Sequence, residues 1–273
     1  MSAIKLGCHS WTFKDCTVRE TAKIIKALGI DYMDLGNGPD FNPDYIADHV
    51  KEESARLVKI KEETGITYID AFPQFKDSFT LNHPERDKRE ENHRVLSMFF
   101  KLAEIIGLKG VTLSPGKCWV GEASQISFQR SIKELNWAVA AGSKYKLKIR
   151  IEPHIQSVTW RPKLAVKMVQ EVPGLTLTID YSHFIFHGIP QEQIAIMHPY
   201  GSHWHARQAK LGQAQCKTNK GEINFEKIIE NLKKQGYEGF ICLEYVNNNW
   251  MGLDNVDCVT ETIKLKKQLI KYL

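Results

Sequence analysis

The chain alternates, over its whole length, between short strand-like segments and longer segments with helical periodicity. Segments 17–29, 93–107, 125–142, 224–236 and 259–273 have helical periodicity. Strands that alternate with helices predict a parallel sheet, because two parallel neighbours need a crossover connection. The strand-like segments are 4–9, 31–36, 66–72, 109–114, 147–153, 175–180, 202–206 and 239–245.

Eight strands is the number that closes a (β/α)8 TIM barrel, and 273 residues suit that fold, which needs about 250. No linker or low-complexity segment interrupts the alternation, so the sequence predicts one barrel domain over 1–273. The alternative is an open doubly wound sheet. That fold normally offers a glycine-rich first turn, whereas the first strand here is followed by HSWTFKD.

Composition excludes several classes of protein. The chain is 42% hydrophobic and 25% charged, as in ordinary globular proteins, and its net charge of +5 is scattered over predicted helices. This pattern argues against nucleic-acid binding. The six cysteines show no C-x-x-C spacing, and neither a signal peptide nor a bilayer-length apolar run is evident. We therefore expect a cytoplasmic protein that does not act at a membrane.

Polar side chains of metal-binding type end the last four predicted strands. In a barrel strand one parity faces the helices and the other points into the barrel. The aliphatic residues of strands five to eight have the parity that faces the helices. Four polar residues therefore have the parity that points into the barrel: Glu152, Asp180, His205 and Glu244. Consecutive members are one strand–helix unit apart, so they are expected to meet at the carboxyl-terminal mouth of the barrel, where such folds place their chemistry.

Three carboxylates at one buried mouth would repel one another. A divalent cation removes that cost, and three oxygen donors with one imidazole suit Mn²⁺, Mg²⁺ or Co²⁺ better than Zn²⁺. The sequence therefore predicts one divalent metal ion held by Glu152, Asp180, His205 and Glu244, with Mn²⁺ favoured and Mg²⁺, Co²⁺ or Zn²⁺ as alternatives.

These motifs resemble those of the xylose isomerase-like barrel superfamily, the sugar phosphate isomerase/epimerase group. The resemblance lies in IRIEPH on strand five, DYSH on strand six, HWHAR on strand seven and CLEY on strand eight. The segment GEINFEKIIENLKKQGYEGF also looks like the family's passage into the last strand. The similarity is sharp between about 148 and 245. It implies a metal-dependent enzyme acting on a small sugar.

In the family's ketose epimerases the metal holds two adjacent substrate oxygens and stabilises an enediolate. One strand glutamate removes a proton and the other returns it, roles that the resemblance gives to Glu152 and Glu244. It also implies that His183 binds or polarises a substrate oxygen. Arg207 shares the inward parity of His205, and it either contacts the substrate or forms a salt bridge to a rim carboxylate.

The chain departs from the ketose epimerases after Glu152. The segment EPHIQSVTW carries His154 where those enzymes often have a second acid. An imidazole there suits general-base chemistry and favours a second hypothesis, a dehydratase or lyase acting on a keto-sugar or keto-inositol. The alternative role for His154 is to orient Glu152.

Aromatic residues near the first and fourth strand ends are candidates for substrate binding. His9 is predicted to line the pocket. Together with His9, Trp11 and Trp119 form an apolar wall for the C–H face of a sugar, or else these two tryptophans pack in the core. Five other histidines are expected on the surface or in loops: His49, His83, His93, His187 and His198.

Two further functions compete. DNA-repair endonucleases of the same superfamily need extra metal ligands on early strands, where this chain offers Asp70 and Ser114, and a basic face, so this reading is disfavoured. A barrel that binds a sugar without catalysis is the second competitor, disfavoured by the two flanking glutamates. The sequence leaves the sugar unidentified, and it leaves open whether the barrel forms a homodimer or a homotetramer.

Overall fold

The computed structural model describes residues 4–75 and 81–273. Within them the predicted strands all form, with ends that differ from the predicted ones by a residue or two. The strands are β1 Lys5–His9, β2 Tyr32–Gly36, β3 Thr67–Phe72, β4 Gly110–Leu113, β5 Lys148–Ile151, β6 Thr176–Asp180, β7 Gly201–Ala206 and β8 Phe240–Leu243.

The eight strands form a parallel sheet that curls into a nearly closed barrel. Their order is β3-β2-β1-β8-β7-β6-β5-β4, and each neighbouring pair in that order is parallel. The two end strands approach each other, and the amide of Lys109 donates to the carbonyl of Ile69 at 3.2 Å. This arrangement confirms the predicted (β/α)8 barrel and rules out the open doubly wound sheet.

Helices follow the strands and cover the outside of the barrel. The helix predicted over 93–107 begins at Arg86 in the structure. The prediction missed its first two turns because they are charged and show no apolar periodicity. The helices are α1 Val18–Ala27, α2 Pro43–Asp48, α3 Val50–Thr64, α4 Arg86–Ile106, α5 Ser124–Ser143, α6 Pro162–Glu171, α7 Ser182–Ile185, α8 Gln191–Ile194, α9 Phe225–Lys234 and α10 Cys258–Leu269. Among these helices, none is both long and apolar enough to cross a membrane.

Glycines end several helices where the chain turns back towards the sheet. Gly29 follows α1 with a φ of 70°, and Gly107 follows α4 with a φ of 81°. The left-handed region costs little for glycine because it has no Cβ, so these positions stop each helix sharply and aim the next strand at the barrel.

The inside of the barrel is polar and is crossed by an ion pair. Arg150 on β5 places Nη1 3.2 Å from Oδ1 of Asp70 on β3 and donates from Nε to Ser202 on β7 at 2.9 Å. Its neighbours Ile149 and Ile151 are buried on the opposite parity. Because β3 and β7 are not neighbours of β5 in the sheet, Arg150 spans the lumen, as the alternation in strand five predicted.

His198, expected on the surface or in a loop, lies in a connecting turn and is buried. It lies in a 3-10 turn over Ala195–Tyr200, just before β7, and is 4% exposed. Its Nε2 is 2.6 Å from the hydroxyl of Tyr181, and its ring meets that of Trp204 edge-on at 4.8 Å. The isolated sequence could not show this, because Tyr181 and Trp204 reach His198 only when β6 and β7 pair.

Acid is expected to destabilise the protein partly through His198. Burial lowers the pKa of His198 to about 4, from 6.5 in an exposed histidine. Between these values the unfolded chain binds a proton that the folded chain does not, so stability is full above about pH 6.5 and falls as the pH drops towards 4. Thermal unfolding midpoints of the wild type and His198→Gln, measured from pH 7.5 to 4, should show a weaker acid dependence in the variant. Parallel curves would contradict the prediction.

Candidate metal centre and active site

The polar ends of β5 to β8 meet at the carboxyl-terminal mouth of the barrel. Glu152 and Glu244 directly follow β5 and β8, Asp180 is the last residue of β6, and His205 lies near the end of β7. All four side chains are buried. Four residues spread over more than ninety positions of sequence are thus brought into one cluster by the parallel order of the strands.

His205 and Arg207 hold this cluster together. The Nδ1 atom of His205 is 2.6 Å from Oε1 of Glu152 and 3.4 Å from Oε2 of Glu244. From the next inward position on the chain, Arg207 places Nη2 2.9 Å from Oδ2 of Asp180 and Nη1 3.5 Å from Oε2 of Glu244. Two buried cationic side chains therefore face three buried carboxylates.

The burial of these charges shifts their pKa values in opposite directions. Burial raises the pKa of Glu152 to about 7, partly opposed by His205, and burial also raises the pKa of Asp180 against the attraction of Arg207. For Glu244, His205 and Arg207 overcome the effect of burial and lower its pKa. Burial would lower the pKa of His205, but Glu244 and Glu152 raise it well above its usual value. The cluster is thus an electrostatic network in which each charge depends on the others.

The donor set fits a divalent cation. Three triplets of described residues have ligand atoms within 4.8 Å of one another: Glu152, Asp180 and His183; His9, His205 and Glu244; and Asp34, His203 and His205. Oε2 of Glu244 is buried and accepts no hydrogen bond from the described residues. A buried carboxylate oxygen without such a partner is costly, and a metal ion bound between these residues would satisfy it.

Two histidines also direct unsatisfied nitrogens into this region. His183 Nε2 lies 3.1 Å from Nη2 of Arg207, which can only donate, so Nδ1 carries the proton. His9 Nδ1 accepts from the amide of Trp11 at 3.1 Å, which leaves the proton on Nε2. Both protonated nitrogens are buried without a hydrogen-bond acceptor among the described residues. The mouth therefore offers two N–H donors to an oxygen-rich molecule.

Arg207 lies at the mouth, as its parity predicted, and forms the salt bridge that was one of its two predicted roles. Its Nε also donates to the hydroxyl of Ser182 at 2.9 Å, and the side chain is 3% exposed. With its guanidinium fixed by Asp180 and Glu244, Arg207 supplies positive charge at the edge of the cluster. A contact between Arg207 and substrate stays a prediction.

His154 lies beside the cluster with both ring nitrogens engaged. Its Nδ1 is 2.7 Å from the carbonyl of Ile155, so this nitrogen donates, and Nε2 accepts from the hydroxyl of Ser114 at 3.0 Å. Burial lowers its pKa, which favours the neutral ring. The His154 ring is centred 6.0 Å from that of His183. It is therefore a neutral imidazole at the mouth, and its hydrogen bonds within the described residues go to Ile155 and Ser114.

The two predicted tryptophans have different surroundings. Trp11 packs against His9, with ring centroids 4.4 Å apart, and its Nε1 donates to the carbonyl of Asn37. Trp119 packs edge-on against His83 at 4.5 Å and donates from Nε1 to Asn82. The structure brings Trp11 to the cluster through His9. Trp119 instead contacts the loop around residues 82 and 83. A role for Trp119 in binding substrate stays a prediction.

Sequence reasoning missed two residues that lie behind the cluster. Asp34, in the middle of β2, places Oδ2 2.6 Å from Nε2 of His203 and 3.4 Å from Nε2 of His205. His203 shares the inward parity of His205, and in the segment DYMDLG Asp34 has the parity opposite to the apolar Met33 and Leu35. Applying the same parity test to strand two would have found Asp34.

The fold and the site together define a class of protein: a parallel (β/α)8 barrel with a buried cluster of carboxylates and imidazoles at its carboxyl-terminal mouth. The model of the xylose isomerase-like TIM barrel family matches residues 22–268. The chain belongs to this family, which confirms the resemblance read from the strand ends.

Three comparisons place the chain among known proteins. The uncharacterized protein MJ1311 of Methanocaldococcus jannaschii is 26% identical over 175 residues, which cover 60% of this chain and 56% of that protein. The crystal structure of a D-tagatose 3-epimerase-like protein is 20% identical, with 98% of both chains covered and a TM-score of 0.76. That of the IOLI protein with a binding zinc atom is 16% identical, with 98% and 99% covered and a TM-score of 0.76. At these identities the two structures support the fold.

Proposed function

We propose that the protein is a divalent-metal-dependent isomerase or epimerase that moves a proton between carbons of a ketose or related keto-sugar. One observation carries this proposal. Glu152 and Glu244, from strands that are not neighbours in the sheet, both lie within 3.4 Å of the same imidazole nitrogen of His205. Two carboxylates that converge on one potential metal ligand supply the base and the acid that proton removal and return require.

The cluster residues would hold the metal, with Mn²⁺ favoured by the three carboxylates and one imidazole. Glu152, Asp180, His205 and Glu244 are the proposed ligands, and the bound cation supplies Lewis-acid stabilisation of negative charge on a substrate oxygen. The names of the structural neighbours, a D-tagatose 3-epimerase-like protein and a zinc-binding IOLI protein, support both parts of the proposal.

The chain's own groups then handle the proton. One glutamate takes the proton from the carbon beside the carbonyl, and the other returns a proton from the opposite face. Burial at the mouth excludes water, so charge that develops on the substrate interacts strongly with the groups around it. The N–H donors of His183 and His9 are placed to bind substrate oxygens, and Arg207 adds positive charge beside them.

A second candidate reaction is elimination, catalysed by a dehydratase or lyase on a keto-sugar or keto-inositol. The observation that favours it is the neutral imidazole of His154 at the mouth, 6.0 Å from His183. In that reaction the same metal and the same proton abstraction operate, but the intermediate loses a hydroxyl group instead of regaining a proton.

Solvent exchange separates these possibilities. The purified protein, loaded with Mn²⁺, is incubated in D₂O with a panel of ketoses and keto-inositols, and the products are followed by NMR. Deuterium at the carbon beside the carbonyl, with an epimer or isomer formed, supports the proposal. Loss of a hydroxyl group from the substrate supports the lyase. If no substrate C–H exchanges, the result favours a barrel that binds a sugar without catalysis. A content of three metal ions per chain would favour the DNA-repair endonuclease.

A further inference from the structure

A buried acid faces the side of His205 that is turned away from the glutamates. His205 directs Nδ1 towards Glu152 and Glu244, while its other nitrogen, Nε2, lies 3.4 Å from Oδ2 of Asp34. Asp34 is 1% exposed. Since β2 and β7 are separated by β1 and β8 in the sheet, Asp34 reaches His205 across the lumen of the barrel.

A second histidine fixes Asp34 in this position. His203 lies two residues before His205 on β7, and its Nε2 is 2.6 Å from the same oxygen of Asp34. The two imidazole rings stand 5.5 Å apart and nearly perpendicular, at 84°. One carboxylate oxygen thus faces two imidazole nitrogens, and the shorter contact with His203 sets where that oxygen lies.

This arrangement has a consequence for metal binding. An imidazole can bind a metal through Nδ1 only when Nδ1 has a free lone pair, which in a neutral ring requires the proton to be on Nε2. A carboxylate that accepts from the second nitrogen of a metal-binding histidine fixes that tautomer and the plane of the ring. Asp34 is in position to do so for His205.

We propose that Asp34 is a positioning residue for His205: it holds the proton on Nε2 and the plane of the ring, so that Nδ1, which contacts Glu152 at 2.6 Å, presents its lone pair when a metal ion displaces the Nδ1 proton, with His203 holding Asp34 in place. This inference rests on the proposed function in one respect, the assignment of His205 as a ligand. Asp34 contacts His203 and His205, and it acts on the metal site through the imidazole of His205.

The chain provides a matched control for this role. Asp70, at the adjacent strand β3, is also a buried aspartate of the lumen, 2% exposed, but its partners are Arg150 and Thr112. Asp70→Asn removes the same charge from the same compartment without touching an imidazole. A general loss of packing or charge in the lumen would affect both variants, whereas a positioning role is specific to Asp34.

The test compares Mn²⁺ affinity in the wild type, Asp34→Asn and Asp70→Asn by titration calorimetry at one pH, alongside thermal unfolding midpoints. Losing an outer partner of a metal-bound histidine typically costs about ten- to hundredfold in affinity. We expect a loss of this size in Asp34→Asn, and affinity within about twofold of wild type in Asp70→Asn, even where both variants unfold at lower temperature. Equal affinities in the two variants would overturn the proposal.

A second readout does not need the metal. In the metal-free protein, the Nε2 proton of His205 is assigned by NMR from its loss in His205→Gln, and its resonance is expected to shift or disappear in Asp34→Asn but not in Asp70→Asn. If the wild type binds no Mn²⁺, the proposed function fails. The Nε2 proton resonance still tests the positioning role of Asp34, which is overturned if this resonance is unchanged in Asp34→Asn. If Asp34→Asn does not fold, His203→Gln replaces it, and the same two outcomes apply.

Discussion

Replacing Asp180 with asparagine is expected to abolish tight metal binding while the barrel stays folded. Asparagine keeps the size of the side chain and a carbonyl oxygen that can accept from the amide of Ser182, as Oδ1 of Asp180 does at 2.8 Å. It lacks the negative charge that makes a carboxylate a much stronger ligand for a hard cation than a neutral amide oxygen. The loss should exceed the ten- to hundredfold typical of an outer-shell partner. Elemental analysis after Mn²⁺ loading and desalting measures it.

Asp70→Asn is the matched control for this change as well. It neutralises another buried aspartate of the lumen, one that pairs with Arg150 at 3.2 Å and lies outside the cluster. Asp70→Asn should lower the thermal unfolding midpoint and retain one Mn²⁺ per chain, whereas Asp180→Asn should lose the metal with its far-UV circular dichroism unchanged. Equal metal content in the wild type and Asp180→Asn would remove Asp180 from the ligand set.

Replacing Glu244 with glutamine is expected to reduce turnover sharply. Positioned acid–base groups contribute about 10²- to 10⁴-fold to a rate, and glutamine can neither take nor return a proton. The effect should appear in kcat even at saturating Mn²⁺, because excess metal offsets a loss of metal affinity but does not restore the lost acid–base group. The rate of deuterium incorporation from D₂O into the ketose identified by the substrate panel measures the loss directly.

Glu134→Gln provides the control for Glu244→Gln. Glu134 is a buried glutamate on α5 that pairs with Arg89 and His93 on the outside of the barrel. It should leave kcat unchanged, whatever its effect on stability. Wild-type turnover in Glu244→Gln would exclude Glu244 from the proton transfer, and equal losses in the two variants would indicate a general effect of removing a buried acid.

Residue alternation alone was enough to predict the main features of the fold and the composition of the mouth. Once the strands were recognised as parallel, the side chains at their carboxyl ends had to share one end of the barrel, and parity decided which of them pointed inwards. For this reason the positions of Glu152, Asp180, His205 and Glu244 could be predicted without coordinates. The prediction holds for position, while the roles as ligands await the metal measurements.

Contacts across the lumen could not be predicted in this way. Asp34 and His203 came together because β2 and β7 face each other in the closed barrel, and strand parity does not say which inward side chains meet. The burial of His198, which was expected on the surface or in a loop, could not be predicted for a related reason. A lone histidine in a loop carries no signal of burial until Tyr181 and Trp204 enclose it.

The sequence by itself determined the fold and the set of polar residues at its mouth, because both follow from short-range periodicity and from the geometry of parallel strands. Only the tertiary structure decided the partners of those residues: the pairing of Arg207 with Asp180, the neutral state of His154 and the contact of Asp34 with His205. Partners depend on distances across the barrel, between residues far apart in the chain, and those distances are fixed only when all eight strands close on one another.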